Sequence, residues 1–317
     1  MKVLLPIIYH PLTHCIERAF IEEGHAVRLV DWRKFQKEVH RHKVEPMCIK
    51  EAMDFRPDLA FCQFQSPGYI SAALPAALRS IDCFSINWTG DVRSPLPQWY
   101  IDLAPHFDVT SFTNLPDVEE IRALGYRSEF LQIGYDEQIF NTEGAGERSG
   151  VVFLGNNYGG YKYAESDSRR KMVQAMAEAF PDDFTVYGMS WEGVVPEKNC
   201  GGYLHESLSA EVLRKALVAV GWDHFHRPGF ASDRLLRATA CGCATVNQYY
   251  LGIEEEHPSV GAAKDIDQMV AMVRHALNNP REARQVGQMA AVNTLKQHRW
   301  NERVRQMMTW LQDHSWK

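Results

Sequence analysis

The chain has 317 residues, 45% hydrophobic and 23% charged, with 21 Gly and 15 Pro, a globular composition that excludes collagen-like, coiled-coil and disordered classes and suits about two domains. Thirty-four Lys and Arg against 40 Asp and Glu give a net charge of −6, which excludes a uniformly basic nucleic-acid coat and leaves room for a local basic groove. Seven cysteines (Cys15, Cys48, Cys62, Cys83, Cys200, Cys241, Cys243) are odd in number, scattered and without a C-x-x-C spacing, so neither a disulfide framework nor a zinc site is written and a reducing cytoplasm is expected.

The apolar opening, Val3 to Tyr9, is broken by Pro6 and stops at His10, too short for a signal sequence or a membrane span. Val3 to Ile8 reads as a buried strand. Ile16, Ala19 and Phe20 then share a helical face that stops at Gly24, a C′ residue. Further strands are expected at 26–30, 59–62, 83–87, 109–112 and 130–133, separated by helical stretches. Six strands in this alternation make a parallel, doubly wound α/β sheet. Residues 137–150 carry three Gly and three Glu and read as a linker. The pattern restarts with strands at 150–155, 184–188, 218–222 and 244–247. The helices expected here run from Met172 to Ala179, from an N-cap at Ser209 to about Ala219, and from Ser232 to Cys241. Three helices close the chain, at 265–277, from Pro280 to about His298, and at 301–312. Two Rossmann-like halves facing each other across a cleft are expected, with the cleft as the ligand site and the last helices covering the junction.

Three stretches carry chemistry. His226-Arg227-Pro228-Gly229-Phe230-Ala231-Ser232-Asp233-Arg234 is a glycine turn entering a helix, so backbone N–H groups and a guanidinium converge where a diphosphate would sit. The competing reading makes Ser232 or Asp233 an ordinary N-cap and Arg234 a surface residue. Gly155-Asn156-Asn157-Tyr158-Gly159-Gly160 follows a strand with small residues that admit a phosphate or sugar, or simply form a tight turn. It matches neither G-x-G-x-x-G nor G-x-x-x-x-G-K-[ST]. Trp88-Thr89-Gly90-Asp91-Val92-Arg93 closes a strand, where Asp91 is a candidate general base, or else caps the following turn or pairs with Arg93. His10 is the runner-up base, and His224 or His226, just ahead of the glycine turn, is a candidate donor to a leaving diphosphate. Asp265-Ile266-Asp267 is a literal D-x-D, better explained as a capping box with Gln268 than as a metal site. Residues 28–50 gather Arg28, Arg33, Lys34, Lys37, Arg41, Lys43 and Lys50 against Asp31, Glu38 and Glu45. That basic patch is either a phosphate-binding face or a solvated helix.

These motifs resemble the GT-B glycosyltransferases, in the branch related to the spore-maturation protein CgeB. Asn87-Trp88-Thr89-Gly90-Asp91, Thr113-Asn114, Leu124-Gly125-Tyr126 and Gly134-Tyr135-Asp136 with Phe140 resemble the close of that family's N-terminal domain. Val152-Phe153-Leu154-Gly155 and Val186-Tyr187-Gly188 resemble its donor-domain strands. Ser232-Asp233-Arg234-Leu235-Leu236 with Ala240-Cys241-Gly242, and His298-Arg299-Trp300 with Arg303, resemble its later helices. The resemblance implies an acceptor domain over 1–140, a donor domain over 141–300, and a last helix, 301–317, packed back on the first. It implies transfer of a sugar from a nucleotide-diphosphate donor, a UDP-sugar first, to an acceptor hydroxyl, with no metal and no separate cofactor. The donor would be held by Gly155, Asn156, Asn157, Tyr203, Leu204, Arg227, Gly229, Ser232, Asp233 and Arg234. The acceptor would meet Trp88, Arg93, Arg33 and Lys34, and is a hydroxymethylated pyrimidine in DNA or else a glycan, protein or small molecule. One departure stands out. Arg237 occupies the position where the family places a ribose-binding Glu, which keeps a non-catalytic ligand- or partner-binding module as the alternative.

Overall fold

The computed structural model describes residues 1–8, 14–38, 40–92, 95–159 and 162–314. Contacts divide the chain into one unit of Met1–Asp136 with Trp300–Lys317 and a second of Glu137–Arg299.

In the first unit the chain runs β1 (Lys2–Ile7), α1 (His14–Glu22), β2 (Ala26–Asp31), α2 (Trp32–Glu38), α3 (Val44–Phe55), β3 (Leu59–Cys62), α4 (Ala73–Arg79), β4 (Phe84–Thr89), α5 (Gln98–Leu103), β5 (Val109–Phe112), α6 (Leu115–Ala123) and β6 (Ser128–Phe130). Among the described residues these strands form one parallel sheet in the order β2-β1-β3-β4-β5-β6. Side-chain alternation explains the continuous apolar run of β1: Val3, Leu5 and Ile7 join the core on one face while Leu4 joins the core on the other. Gly24, with φ +82°, ends α1 as its spacing suggested. Asn114 caps α6 by accepting the Asp117 N–H at 3.0 Å.

The second unit runs β7 (Ser149–Leu154), α7 (Ser166–Ala179), β8 (Phe184–Tyr187), α8 (Glu206–Lys215), β9 (Ala216–Gly221), α9 (Asp233–Ala240), β10 (Ala244–Gln248), α10 (Ile253–Glu256), β11 (Gly261–Ala263), α11 (Ile266–Asn278) and α12 (Pro280–Gln297). Its strands form a parallel sheet in the order β11-β10-β9-β7-β8. Each sheet starts from its first strand, places the second on one side and the later ones on the other. The chain therefore reverses direction across the sheet between β1 and β3 and between β7 and β9, and open α/β sheets take ligands at that point, beyond the carboxyl ends of the strands.

The last helix, α13 (Trp300–His314), belongs to the first unit and packs beside α1. Trp300 meets Trp88 edge to face at 5.3 Å, both rings being buried at 3% and 2% exposure. Gly134 lies so close beneath the Trp300 ring that an added Cβ would stand 2.8 Å from it. This helix also explains why the strand expected at 130–133 stops at Phe130. Gln306 donates to the Phe130 carbonyl at 2.8 Å, the Trp88 indole to that of Leu131 at 3.0 Å, and Arg303 to that of Gln132 at 3.0 Å. Side chains have taken the acceptors that a sheet ladder would use.

Two further expectations need correction. The helix expected from Ser209 starts instead at Glu206, with His205 at the N-cap accepting the Ser207 N–H at 3.3 Å, and the Ser209 hydroxyl turns back to the Glu206 carbonyl. It ends at Lys215 because the chain enters β9 at Ala216. The stretch 137–150 is not a free linker. Phe140 is buried, and Arg148 donates to the carbonyls of Leu213 and Ala216 at 3.1 Å each and to that of Cys241, where α8 and α9 end. A buried guanidinium thereby satisfies carbonyls that helix ends leave open.

Replacing Trp300 by Ala should cost about 3–5 kcal/mol of stability. Urea unfolding of the variant should show a lower midpoint at an unchanged slope.

Candidate functional site

The second unit builds a charged cluster where β7 and β9 end. The loop after β7 is set first. Gly155 donates to the Tyr187 carbonyl at 2.8 Å, the Asn156 side-chain oxygen accepts the Met189 N–H at 2.9 Å, and the Asn157 amide donates to the Ser190 carbonyl at 2.7 Å. Both asparagine side chains therefore splice the β7 and β8 loops together. Gly188, with φ +144°, faces the Gly155 carbonyl so closely that no Cβ fits.

Arg169, in the first turn of α7, points into this end of the sheet at 1% exposure. Its Nε donates to the Trp222 carbonyl at 2.7 Å, its Nη1 to His224 Nε2, and its Nη2 lies 4.0 Å from Asp223 without a hydrogen-bond partner. Asp223, 4% exposed, accepts from Arg234 Nη2 at 2.7 Å. One buried carboxylate thus stands between two guanidiniums. Arg234 Nε and His224 Nδ1 are likewise buried without partners. Among the described residues these three buried side-chain nitrogens have no hydrogen-bond partner, in a place where an unmade hydrogen bond costs about 1–3 kcal/mol each.

The electrostatics follow from this crowding. Burial, with Arg234 nearby, pushes the Arg169 pKa well below its ordinary value, although a guanidinium keeps its charge. Asp223 and Asp233 outweigh burial at Arg234 and raise its pKa. Burial, then Arg169, Arg234 and Lys162, lower the His224 pKa to about 3. Tyr158 and Tyr163 pack against the imidazole at 5.0 and 4.9 Å, and the Lys162 ammonium lies over both rings at 4.6 and 5.3 Å. Arg169, Arg234 and Lys162 outnumber Asp223, and Asp233 is paired with Arg237, so the cluster stays positive, as an anion requires.

The glycine turn takes its expected place beside this cluster. Gly229, with φ +74°, donates to the Leu251 carbonyl at 3.1 Å, and Phe230 donates to the Arg227 carbonyl at 3.1 Å. Ser232 occupies the N-cap of α9 in extended conformation, and its hydroxyl makes no capping bond. Asp233 opens the helix. Its carboxylate receives backbone N–H groups at the helix start and pairs with Arg237 at 2.6 Å, and these contacts outweigh burial to lower its pKa. Arg237 itself lies over the Phe140 ring at 5.1 Å. Tyr203 is 67% exposed beside the β8 loop, where Gly188 donates to the Gly202 carbonyl at 2.9 Å, and Leu204 is half-buried.

In the first unit Asp91 follows β4 as expected, with an exposed side chain and its N–H donated to Thr89 Oγ1 at 3.3 Å. Arg33 and Lys34 are exposed on α2. Trp88 corrects the acceptor expectation: a buried indole bonded to a backbone carbonyl and packed on Trp300 is core. His10 and Arg93 lie outside the described residues. Asp265 accepts the Gln268 N–H at 2.8 Å while the Gln268 amide oxygen accepts the Lys264 N–H at 2.7 Å, so the D-x-D is a capping box. Among the described residues no group of three His, Cys, Asp or Glu is arranged to hold a metal, and no helix is long and apolar enough to cross a membrane.

Sequence reasoning missed Arg169, Lys162 and the role of Asp223. The available signal was positional, since Asp223 and His224 follow a strand at the point where the sheet reverses and Arg169 opens the helix after the first strand.

Residues 169–309 match the family model described as glycosyl transferase-like. The fold is that of the two-domain GT-B glycosyltransferases. The sucrose-phosphate synthase of Thermosynechococcus elongatus superposes with a TM-score of 0.66 at 12% identity, over 99% of this chain and 98% of that one. Anabaena HepE, solved with UDP, gives 0.63 at 11% identity over 99% and 100%. The UDP-GlcNAc 2-epimerase of Methanocaldococcus jannaschii gives 0.56 at 11% identity over 98% and 100%. No curated protein matches the sequence. The resemblance read from the motifs is thus borne out for the fold, and residues 169–309 match the glycosyl transferase-like model, while none of these matches singles out the CgeB-related branch.

The unfolded chain binds a proton at His224 near pH 6.5 and the folded protein does so only near pH 3, so this group removes stability as pH falls through that window. Thermal melts should show the melting temperature declining from pH 6.5 downward, and His224→Gln should make that decline shallower.

Proposed function

We propose that this chain is a glycosyltransferase that moves a sugar from a nucleotide-diphosphate donor to an acceptor hydroxyl, with a UDP-sugar as donor and without a metal ion or separate cofactor. The observation that carries the reading is the set of unpartnered N–H donors of Arg169 and Arg234 around Asp223, at the carboxyl ends of β7 and β9. Supporting it are the match to the glycosyl transferase-like model, whose matched stretch opens at Arg169, and the UDP carried by a structure of the same fold.

The chemistry assigns roles as follows. Asp91 takes the proton of the acceptor hydroxyl as its oxygen bonds to the sugar. The bond between the sugar and the phosphate oxygen breaks, and the electron pair leaves with the diphosphate. Arg234, Arg169 and Lys162 meet that developing charge with donors already in place, which lowers the barrier because little reorganisation is left to do. The positive excess of the cluster offers a counter-charge that does not depend on a metal ion. Arg227, the turn at Gly229 and Ser232 border the phosphates, Gly155 with Asn156 and Asn157 shape the floor, and Tyr203 with Leu204 meets the base. Asp233 contributes by holding Arg237. The acceptor is met by Arg33 and Lys34 together with the exposed Lys37, Arg41 and Lys43. That run of cations suits phosphates, hence a hydroxymethylated pyrimidine in DNA, with a glycan, protein or small molecule as the other classes.

One observation favours a second reading. Arg237, tied to Asp233, offers no carboxylate where the resemblance places a ribose-binding Glu, and a module that binds a nucleotide or a partner without turnover would tolerate that.

A thermal-shift series with UDP, GDP, TDP, ADP and CMP and their sugar conjugates should show stabilisation by the UDP members, lost in Arg234→Met. Asp91→Asn should keep that shift and lose about 10²- to 10⁴-fold of turnover. A nucleotide shift with no transfer to any acceptor, and no effect of Asp91→Asn, would favour the binding module. Duplex DNA binding that weakens steeply with salt would select the DNA acceptor.

A further inference from the structure

Beside the unpartnered Arg169 Nη2 and Arg234 Nε, His224 holds a third buried nitrogen without a partner among the described residues. Its ring lies between the Arg169 guanidinium, at Nε2, and the faces of Tyr158 and Tyr163. A guanidinium has donors only. The Nε2 atom facing Arg169 must therefore be the bare acceptor nitrogen, and the single proton of a neutral imidazole is placed on Nδ1. That nitrogen is buried and, among the described residues, has no partner.

We infer that Arg169 fixes His224 as a neutral imidazole protonated at Nδ1, and that this N–H is a third hydrogen-bond donor to the anion bound by Arg169 and Arg234. The inference rests on the anion-site reading above and deepens it. Arg169, Arg234 and Lys162 disfavour an imidazolium, while of the neighbouring carboxylates Asp223 is engaged by Arg234 and Glu165, whose N–H donates to the His224 carbonyl, accepts from the Ser168 hydroxyl. The lowered pKa agrees with this geometry. His224 is therefore not an acid that hands a proton to the leaving group near neutral pH. It lends a hydrogen bond without adding charge, so a bound phosphate can gain a donor that does not titrate across the physiological range. The burial of Arg169 and its bond to the Trp222 carbonyl keep the guanidinium at the right height to hold the ring.

The test uses inorganic pyrophosphate as the probe and protein labelled with ¹⁵N at histidine, the His224 signals being identified by their loss in His224→Gln. In the wild type, His224 should show a protonated Nδ1 and an unprotonated Nε2 from pH 5 to 8, and the Nδ1–H signal should move on addition of pyrophosphate. His224→Gln keeps an amide oxygen for Arg169 and an N–H for the ligand, and should bind pyrophosphate within a few-fold of wild type. His224→Phe, checked for folding by its melting curve, should bind about tenfold or more weakly, the size expected for a hydrogen bond to a charged group. Titration of His224 near pH 6.5, or a proton on Nε2, would overturn the inference. So would pyrophosphate binding that leaves both the Nδ1–H signal and the affinity of His224→Phe unchanged, in which case the anion site itself stands. A wild type that binds no pyrophosphate while His224 stays protonated at Nδ1 would instead remove the anion reading, and the donor role with it.

Discussion

The Asp223 carboxylate is the group on which the candidate site turns. It is almost fully buried beside Arg169, which is itself buried, and it reaches Arg234 at the start of α9. Two guanidiniums in so small a volume would repel each other strongly if nothing stood between them. A single carboxylate makes their approach tolerable without cancelling their charge. The arrangement joins three elements that are distant in sequence, namely the first helix of the second unit, the end of its central strand and the first turn of α9. Breaking such a buried network by removing one partner is costly because the others are left charged and uncompensated, so the geometry of the cluster is held by the same interaction that makes it attractive to an anion.

The rest of the second unit supports that point. The asparagines after β7 hold the loop against β8, with Gly188 so close to the Gly155 carbonyl that no side chain fits there. Arg148 holds the far ends of α8 and α9 through their carbonyls. The helix that carries Arg234 is thus fixed at both ends, by an ion pair at one and by a guanidinium cap at the other. In the first unit a different device serves the sheet. The Trp88 and Trp300 rings meet edge to face, and α13 supplies the donors that finish the segment after β6. A residue that reads as a ligand-facing aromatic at the end of a strand is instead the centre of a core.

The fold was largely legible because its signals are local. Buried parallel strands are short apolar runs, and such runs at β1, β3, β5, β7, β9 and β10 stood out between helical stretches. The glycine turn before α9 and the capping box at Asp265 were legible for the same reason, since each is fixed by residues within a few positions. Boundaries failed where a distant element intervened. The strand expected at 130–133 was cut short by side chains more than 160 residues further on, and the expected linker at 137–150 was anchored by Arg148 to helix ends that only the fold brings near. The candidate site was legible by half: Arg234 and its turn could be read as a motif, whereas nothing in the local spacing of Arg169 distinguishes it from Arg170 beside it.

By itself the sequence determined the alternation of strands and helices, the two-part organisation, the absence of any disulfide or zinc spacing and the glycine-to-helix turn, because each depends on periodicity or on neighbours along the chain. Tertiary structure alone decided which arginine is buried, which carboxylate stands between two of them and which nitrogen of His224 faces Arg169. Those are properties of groups placed side by side by the order of strands in a sheet, and charge, burial and hydrogen bonding act through space at distances of a few ångströms. Residues 55 and 65 positions apart along the chain interact as neighbours only after β7 and β9 have paired.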